Sequence, residues 1–335
     1  MQEQEGEKLT MDDVAKALGV SKTTVSRAVS GKGRIGEQTR QKVLEYIAQH
    51  NYKPNVMAKG LANKRTYNIG MVLQADLLSS DLPFFPKALK GISEAAAKEA
   101  YDVILTLVDT NDLSRLARVI EDQKVDGLIL MRTLQDDKPA EMLKKSGLPF
   151  VAMGMTDDPY VCQVDHDHVE ACRELTGILL MKGLKKIALI VGDMNHVINK
   201  KRLEGFCAAH KELGFALDES LIFTDVDSQL LADRVTDMIL MRGVSCMIGA
   251  DDLLASQVLN RLEEEGVQIP REMRLASFHD SQLLKSAGTG ITAIRFHTEE
   301  LGREACRVLL RQINGEEVPH LTKLSYEVAI RGSTK

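Results

Sequence analysis

With 335 residues, 44% of them hydrophobic, the chain is too long for one ordinary domain and too apolar for wholesale disorder. Its five cysteines, Cys162, Cys172, Cys207, Cys246 and Cys306, lie far apart with no CxxC pair, which argues against a disulfide framework or a structural zinc site. The formal charge of −5 is unevenly spread: Lys8 to Arg65 carries 12 Lys and Arg against Asp12, Asp13, Glu37 and Glu45, a surplus of +8, leaving −13 elsewhere, so a polyanion is expected to meet the head only.

Residues 1–8 are polar and acidic and read as a disordered tail without the apolar stretch of a secretory signal. No apolar run approaches the ~20 residues of a membrane helix. A soluble, cytoplasmic protein with no membrane partner is expected.

Three helices fit residues 9–53. Thr10 caps the first, Asp12 and Asp13 suit its positive end, and Gly19 ends it. Ser21 caps a second, from Lys22 to about Val29, with Val25 and Val29 facing inward. A third runs from Glu37 to about His50 with Val43, Leu44 and Ile47 as its apolar stripe. A helix, a Gly-containing turn and a short second helix make a helix-turn-helix, whose second helix enters the major groove. Lys22, Thr23, Ser26 and Arg27 lie on the outward face of that helix, and these side chains can reach base edges and phosphates.

Thr10, Asp13-Val14-Ala15, Gly19-Val20-Ser21, Thr24-Val25-Ser26-Arg27, Thr39-Arg40, Val43, Tyr52, Pro54-Asn55, Ala58 and Leu61 closely resemble, at the right spacing, the opening of the lactose-repressor (LacI/GalR) family of bacterial regulators. The resemblance continues more weakly through Arg202, Gly205 and Phe206, Ala250-Asp251-Asp252, Ser277-Phe278-His279-Asp280 and the closing Arg331-Gly332-Ser333-Thr334. It implies that Lys22, Thr23 and Arg27 read bases, while Thr10, Ser21, Thr24, Ser26, Arg34, Thr39 and Asn55 mainly hold phosphates. Gly36 stands where many members have a serine, so one hydroxyl contact is missing.

Residues 54–66 read as a short hinge helix and linker, too short to be stable alone. The resemblance implies that two hinges pair on DNA and that Leu61 wedges into the minor groove, as apolar side chains do in bent DNA. Gly60 departs from the longer side chain usual there and adds about 1 kcal/mol to the ordering of that helix.

From residue 67 onward, strand-like runs alternate with helical ones. Candidate strands are 69–73, 103–107, 127–131 and 150–153, then 187–191, 221–223, 246–248 and 275–278; helices fit 85–98, 169–182, 201–213, 253–264 and 298–312. Alternation in two series predicts two doubly wound parallel-sheet subdomains. The resemblance implies the periplasmic-binding-protein fold: residues 67–164 with 294–323 form one subdomain and 165–293 with 324–335 the other. Crossovers are expected near Val164-Asp165, Ala293-Ile294 and Lys323-Leu324. No GxGxxG follows the first strand, and GxxxxGK[ST], GxSxG and HExxH are missing, so no nucleotide cofactor and no catalytic residue are expected. Asp165-His166-Asp167-His168 has ligand-type residues but no matching Cys/His cluster elsewhere; a polar crossover is expected there and no metal.

Motif position assigns Phe85, Gly154, Lys200, Arg202, Asp251 and His279 to an effector cleft. Arg202 resembles the family's main polar clamp, and Phe85 the aromatic that stacks on a ligand ring, although the core face of its helix fits equally. Asp251 could bind hydroxyls or cap a helix, with Asp252 the better cap. His279 stands where many members have Asp, and Gly154 where some have a carboxylate. Fewer acids beside Arg202 and Lys200 point to a sugar acid or sugar phosphate as well as a sugar. The implied protein is a ligand-responsive homodimeric repressor of a carbohydrate-utilisation operon, binding a pseudo-palindromic operator, with ligand shifting hinge pairing. No leucine heptads follow Thr334, so no tail-mediated tetramer is expected. Two alternatives stay open: a solute-binding protein, which needs export, and an α/β sugar-metabolising enzyme, which needs a nucleophile or an acid–base pair.

Overall fold

The structure is a computed structural model that describes residues 9–31, 33–50, 52, 60, 63–74, 84–109 and 111–335. The chain divides into two compact units, 1–66 and 67–335. Asn55 and Leu61, and most of the hinge, lie outside the described residues.

In the first unit, α1 (Met11–Leu18), α2 (Lys22–Ser30) and α3 (Glu37–Gln49) surround a small core of Val14, Ala15, Val25, Ala28, Val43 and Tyr52. The predicted caps hold. Thr10 Oγ1 accepts from the Asp13 N–H while Asp13 accepts from the Thr10 N–H, a reciprocal capping box. Gly19 closes α1 at φ 62°, a left-handed conformation cheap only for glycine. One predicted core residue is corrected: Leu44 is 41% exposed. Tyr46 and Ile47 pack beside Val43 instead, because 43, 46 and 47 share a face at 3.6 residues per turn and 44 is turned away.

The second unit contains two six-stranded sheets. The first is built from β1 (Asn68–Gln74), β2 (Asp102–Val108), β3 (Gly127–Leu130), β4 (Phe150–Met153), β5 (Cys162–His166) and β11 (Leu321–Leu324), in the order β11-β5-β4-β3-β1-β2, all parallel. The second comprises β6 (Ile187–Ile190), β7 (Ile222–Phe223), β8 (Cys246–Gly249), β9 (Arg274–Ser277), β10 (Thr292–Phe296) and β12 (Tyr326–Ala329), ordered β12-β10-β9-β8-β6-β7. Only the β10–β12 pair is antiparallel among the described strands. The predicted strands are all present. β5, β10, β11 and β12 are additional, because short segments at the crossovers carry little periodicity of their own. Strands run through the expected junctions, to His166, Phe296 and Leu324, so 165–166 and 324 pair in the first sheet and 294–296 in the second.

Between the strands run α4 (Phe84–Lys98), α5 (Ser114–Glu121), α6 (Lys138–Ser146), α7 (His168–Met181), α8 (Val197–Leu213), α9 (Gln229–Leu240), α10 (Asp252–Glu264), α11 (Gln282–Ser286) and α12 (Thr298–Ile313). The first sheet buries an apolar cluster on each face, as a doubly wound sheet must. Phe206 and Phe278 are fully buried in the core of the second lobe. Two helix pairs approach closely on glycine: a Cβ on Gly91 of α4 would lie 1.9 Å from Glu299 O of α12, and one on Gly205 of α8 2.4 Å from Val169 O of α7. The Arg202, Gly205, Phe206 motif thereby acquires three separate reasons: cleft, helix approach and core.

Candidate functional site

Two surfaces carry the chemistry. On the first unit, α2 buries Val25 and Ala28 and exposes Lys22, Thr23, Ser26 and Arg27. The helical period thus turns cation and hydroxyl side chains outward together. Ser21 Oγ accepts from the Thr24 N–H at 3.1 Å and lies 2.8 Å from Thr24 Oγ1. Thr10, Ser21 and Thr24 therefore order helix starts, where free amides favour anions. Arg34 is exposed and Thr39 half-buried near the start of α3.

Lys22 Nζ pairs with Asp12 Oδ2 at 2.8 Å, both side chains more than half exposed. Such an exposed pair contributes little to stability, so it yields readily to a nucleic acid. Asp12 also places a negative charge on the same surface. Asp12→Ala is expected to tighten duplex binding by up to about 1 kcal/mol, read by fluorescence anisotropy at fixed salt. Weaker binding would show instead that Asp12 positions Lys22.

The second surface is a cleft between the two lobes of the body, at the carboxyl ends of the parallel strands, where α/β sheets place ligands. It brings together Phe85, Gly154, Arg202, Asp251 and His279 from the expected set, but not Lys200. Ile198 and Arg202, one turn apart on α8, face the cleft; Lys200 lies two residues round the helix and lines a neighbouring depression with Thr156 and Glu204. The case for an acidic ligand loses one of its two cations.

Arg202 is 4% exposed, so it is no surface ion pair. One guanidinium nitrogen donates to Asn199 Oδ1 at 3.0 Å and stands 3.9 Å from Asp251 Oδ2, while its buried Nε has no partner among the described residues. An unpartnered buried donor costs about 1–3 kcal/mol, which a ligand acceptor in the cleft would offset.

Of the two roles open to Asp251 it takes the cap, and Asp252, expected to be the better cap, does not. Asp251 has extended dihedrals and accepts from the Leu254 N–H at 2.9 Å, the geometry of an N-cap. Asp252, first in the helix, lies 3.0 Å from His279 Nδ1. Burial pushes the Asp252 carboxyl up, but His279 and the remaining hydrogen bonds outweigh it and hold it below its ordinary value. Gly154 sits at φ 138°, and a Cβ there would meet Thr133 Oγ1 at 2.9 Å. Backbone and Thr133 therefore exclude a carboxylate at that position.

Sequence reasoning missed several lining residues. Phe84, half-buried, lies edge-on to Phe85, which is itself core. Phe296 ends β10 and contacts His166 and His168 at ring separations of 4.8 and 4.5 Å. Asp165, His166 and His168, expected as a polar crossover, are buried and line the cleft. Burial and the neighbouring His168 push the His166 imidazole down to about 3, so it is neutral near pH 7. For Asp165 burial acts upward, yet His168 holds the carboxyl below its ordinary value. Alternation at a strand end and the ligand-type string were available as signals; the contact with Phe296 was not.

A helix-turn-helix unit and a two-lobed body with a polar, aromatic-lined cleft define a ligand-binding transcription regulator. Residues 66–330 match the periplasmic binding proteins and sugar binding domain of the LacI family, and residues 10–55 match the bacterial regulatory proteins of the lacI family. Catabolite control protein A of Streptococcus mutans is 31% identical over 98% of both chains. The transcriptional regulator MalR of Streptococcus pneumoniae is 31% identical over 91% of this chain and 93% of its own. Among solved structures, the CelR–cellobiose complex matches with a TM-score of 0.74 and 27% identity over 97% of this chain and 99% of its own. The lac repressor dimer bound to operator and an anti-inducer matches in fold, with a TM-score of 0.78 and 23% identity over 98% and 99%. The chain belongs to the LacI family of bacterial transcription regulators. No helix among the described residues is long and apolar enough to cross a membrane.

Proposed function

We propose that the protein is a cytoplasmic, non-enzymatic repressor of a carbohydrate-utilisation operon, released from or clamped to its operator by a small polyhydroxylated effector. The convergence of Arg202, Asp251, His279 and Phe84 in one cleft carries this reading. Carboxylates at Asp165, Asp251 and Asp252 against Arg132 and Arg202 favour a neutral sugar over the acidic ligands. Relatives support it: CelR is titled with cellobiose, and the lac repressor with operator and anti-inducer.

In this reading Lys22, Thr23 and Arg27 read bases, and Thr10, Ser21, Thr24, Ser26, Arg34, Thr39 and Asn55 hold phosphates. Leu61 is the minor-groove wedge of a hinge at 54–66. The head is 9–53; the ligand-binding lobes are 67–166 with 297–324, and 167–296 with 325–335. Dimerisation is supported by exposed Leu231, Met238 and Met241, which recur at helical spacing along α9 and its end.

The test begins with selection of duplexes from a randomised pool by the full-length chain. Pseudo-palindromic half-sites are the expected product. A panel of mono- and disaccharides, sugar acids and sugar phosphates is then scored for a change in duplex affinity. Arg202→Ala is expected to abolish the response to the active sugar and leave ligand-free duplex binding within a factor of about two, since removing a buried charged hydrogen-bonding partner of a ligand typically loses 2–5 kcal/mol. Enrichment of no duplex, or a full sugar response in Arg202→Ala, contradicts the proposal.

A further inference from the structure

We propose that the body of this protein binds a divalent transition-metal ion through Asp165, His166 and His168. One nitrogen of each imidazole and one carboxylate oxygen lie within 4.8 Å of one another, and all three residues are buried. His168 Nε2 stands 3.1 Å from Asp165 Oδ1. A tetrahedral shell with bonds of about 2.0–2.1 Å has edges of about 3.4 Å, so this pair already has the separation of two ligands on one ion. The His166 nitrogen lies within 4.8 Å of both, and a side-chain movement brings it into the same shell.

A hydrogen bond explains the His168–Asp165 pair without a metal, so a second observation has to decide. His166 is 1% exposed, and its Nε2 is buried with no hydrogen-bond partner among the described residues. Leaving such an atom unsatisfied costs its full desolvation. It lines the same cleft as Asp165 and His168. Two imidazoles and one carboxylate are a donor set suited to Zn²⁺, Co²⁺ or Ni²⁺. The sequence lacked a second cysteine or histidine cluster, which a closed structural site would need. Three ligands are enough for an open one, whose remaining position faces the cleft and accepts a ligand oxygen.

The cleft carries charge of both signs, with Arg132 and Arg202 lining it beside Asp251 and Asp252. His168 begins α7, whose positive end opposes a cation. Asp165 beside it, with Asp251 and Asp252 lining the same cleft, offsets that. Asp167 is not part of the set: it caps α7 by accepting from the Glu170 N–H and pairs with Lys323 at 2.6 Å. Ligation through Nε2 leaves His168 Nδ1, also unpartnered among the described residues, as the N–H.

The inference concerns the proposed effector cleft but does not require DNA binding or an identified sugar. The test uses untagged full-length protein, stripped with a chelator and titrated with Co²⁺ and then Zn²⁺. One equivalent per chain, micromolar or tighter affinity, and the visible absorption of a low-coordinate cobalt site are expected. His166→Gln and His168→Gln should each weaken binding at least tenfold, the loss seen even for residues that only support ligands being about 10–100-fold. His320→Gln, at an exposed histidine, should bind as the parent does. Circular dichroism establishes that the variants fold, and zinc should raise the melting temperature of the parent but not of either cleft variant. Substoichiometric or millimolar binding overturns the proposal and leaves a sugar hydroxyl as the partner of His166. Binding retained in full by both cleft variants also overturns it. Neither result touches the sugar response lost in Arg202→Ala.

Discussion

Gly91→Ala should destabilise the body by about 3 kcal/mol, the upper end of what overpacking a tight site costs, whereas the same change at Gly177 should be neutral or stabilise by up to about 1 kcal/mol. At Gly91 the added methyl would stand 1.9 Å from Glu299 O and 2.9 Å from Arg303 N, both backbone atoms of α12. No rotamer change relieves a contact with backbone; the helices must separate. Reciprocally, Gly302 on α12 approaches Ala88 O of α4 at 2.2 Å, so the crossing is tight from both sides. Ion pairs of Lys90 with Glu299 and Arg303 with Glu94 bridge the same helices, but exposed pairs contribute too little to hold them through such a clash. Gly177, within α7, would meet only Leu213 Cδ1 at 3.6 Å, an ordinary contact. There the methyl removes unfolded-state freedom without strain. Thermal melts of the three proteins compare the outcomes directly; shifts of the same sign and size in both variants would refute the packing argument.

Arg27→Ala should lower affinity for the selected duplex by about 1–3 kcal/mol, roughly 5- to 150-fold, the worth of a good side-chain-to-base contact. Binding to random duplex should fall far less, because that rests on the summed phosphate contacts. The side chain is exposed on α2 and lies against Gly33, where a Cβ would meet its Cδ at 3.2 Å. The loop thus leaves the arginine room by lacking a side chain. Since Val25 and Ala28 hold the core, the variant should keep the helical circular dichroism of the parent. Anisotropy titrations against both duplexes at two salt concentrations separate the contributions. Equal losses on selected and random duplexes would make Arg27 a phosphate contact.

Legibility followed the range of the interactions involved. The three helices of the head were readable because caps, turn glycines and apolar spacing act within a few residues; Thr10, Gly19 and Ser21 do in the fold what their positions announced. Leu44 was misplaced because a run of apolar residues does not reveal the phase of the helix. The same error, reversed, put Lys200 in the cleft: it is two residues from Arg202 in sequence but off its face. Asp252 reads as the better cap in the sequence because only the backbone dihedrals decide which residue of a pair begins a helix.

The alternation of apolar strands and amphipathic helices was enough to specify two parallel-sheet lobes, since each strand must bury both faces and each helix one. A basic, hydroxyl-bearing α2 was likewise specified locally. Which side chains meet in the cleft was decided by three-dimensional folding alone. His279 reaches Asp252 across neighbouring strand ends, and Phe296 returns from β10 to cover His166 and His168. Those contacts join segments far apart along the chain, and their geometry comes from sheet order, which no local pattern of residues encodes.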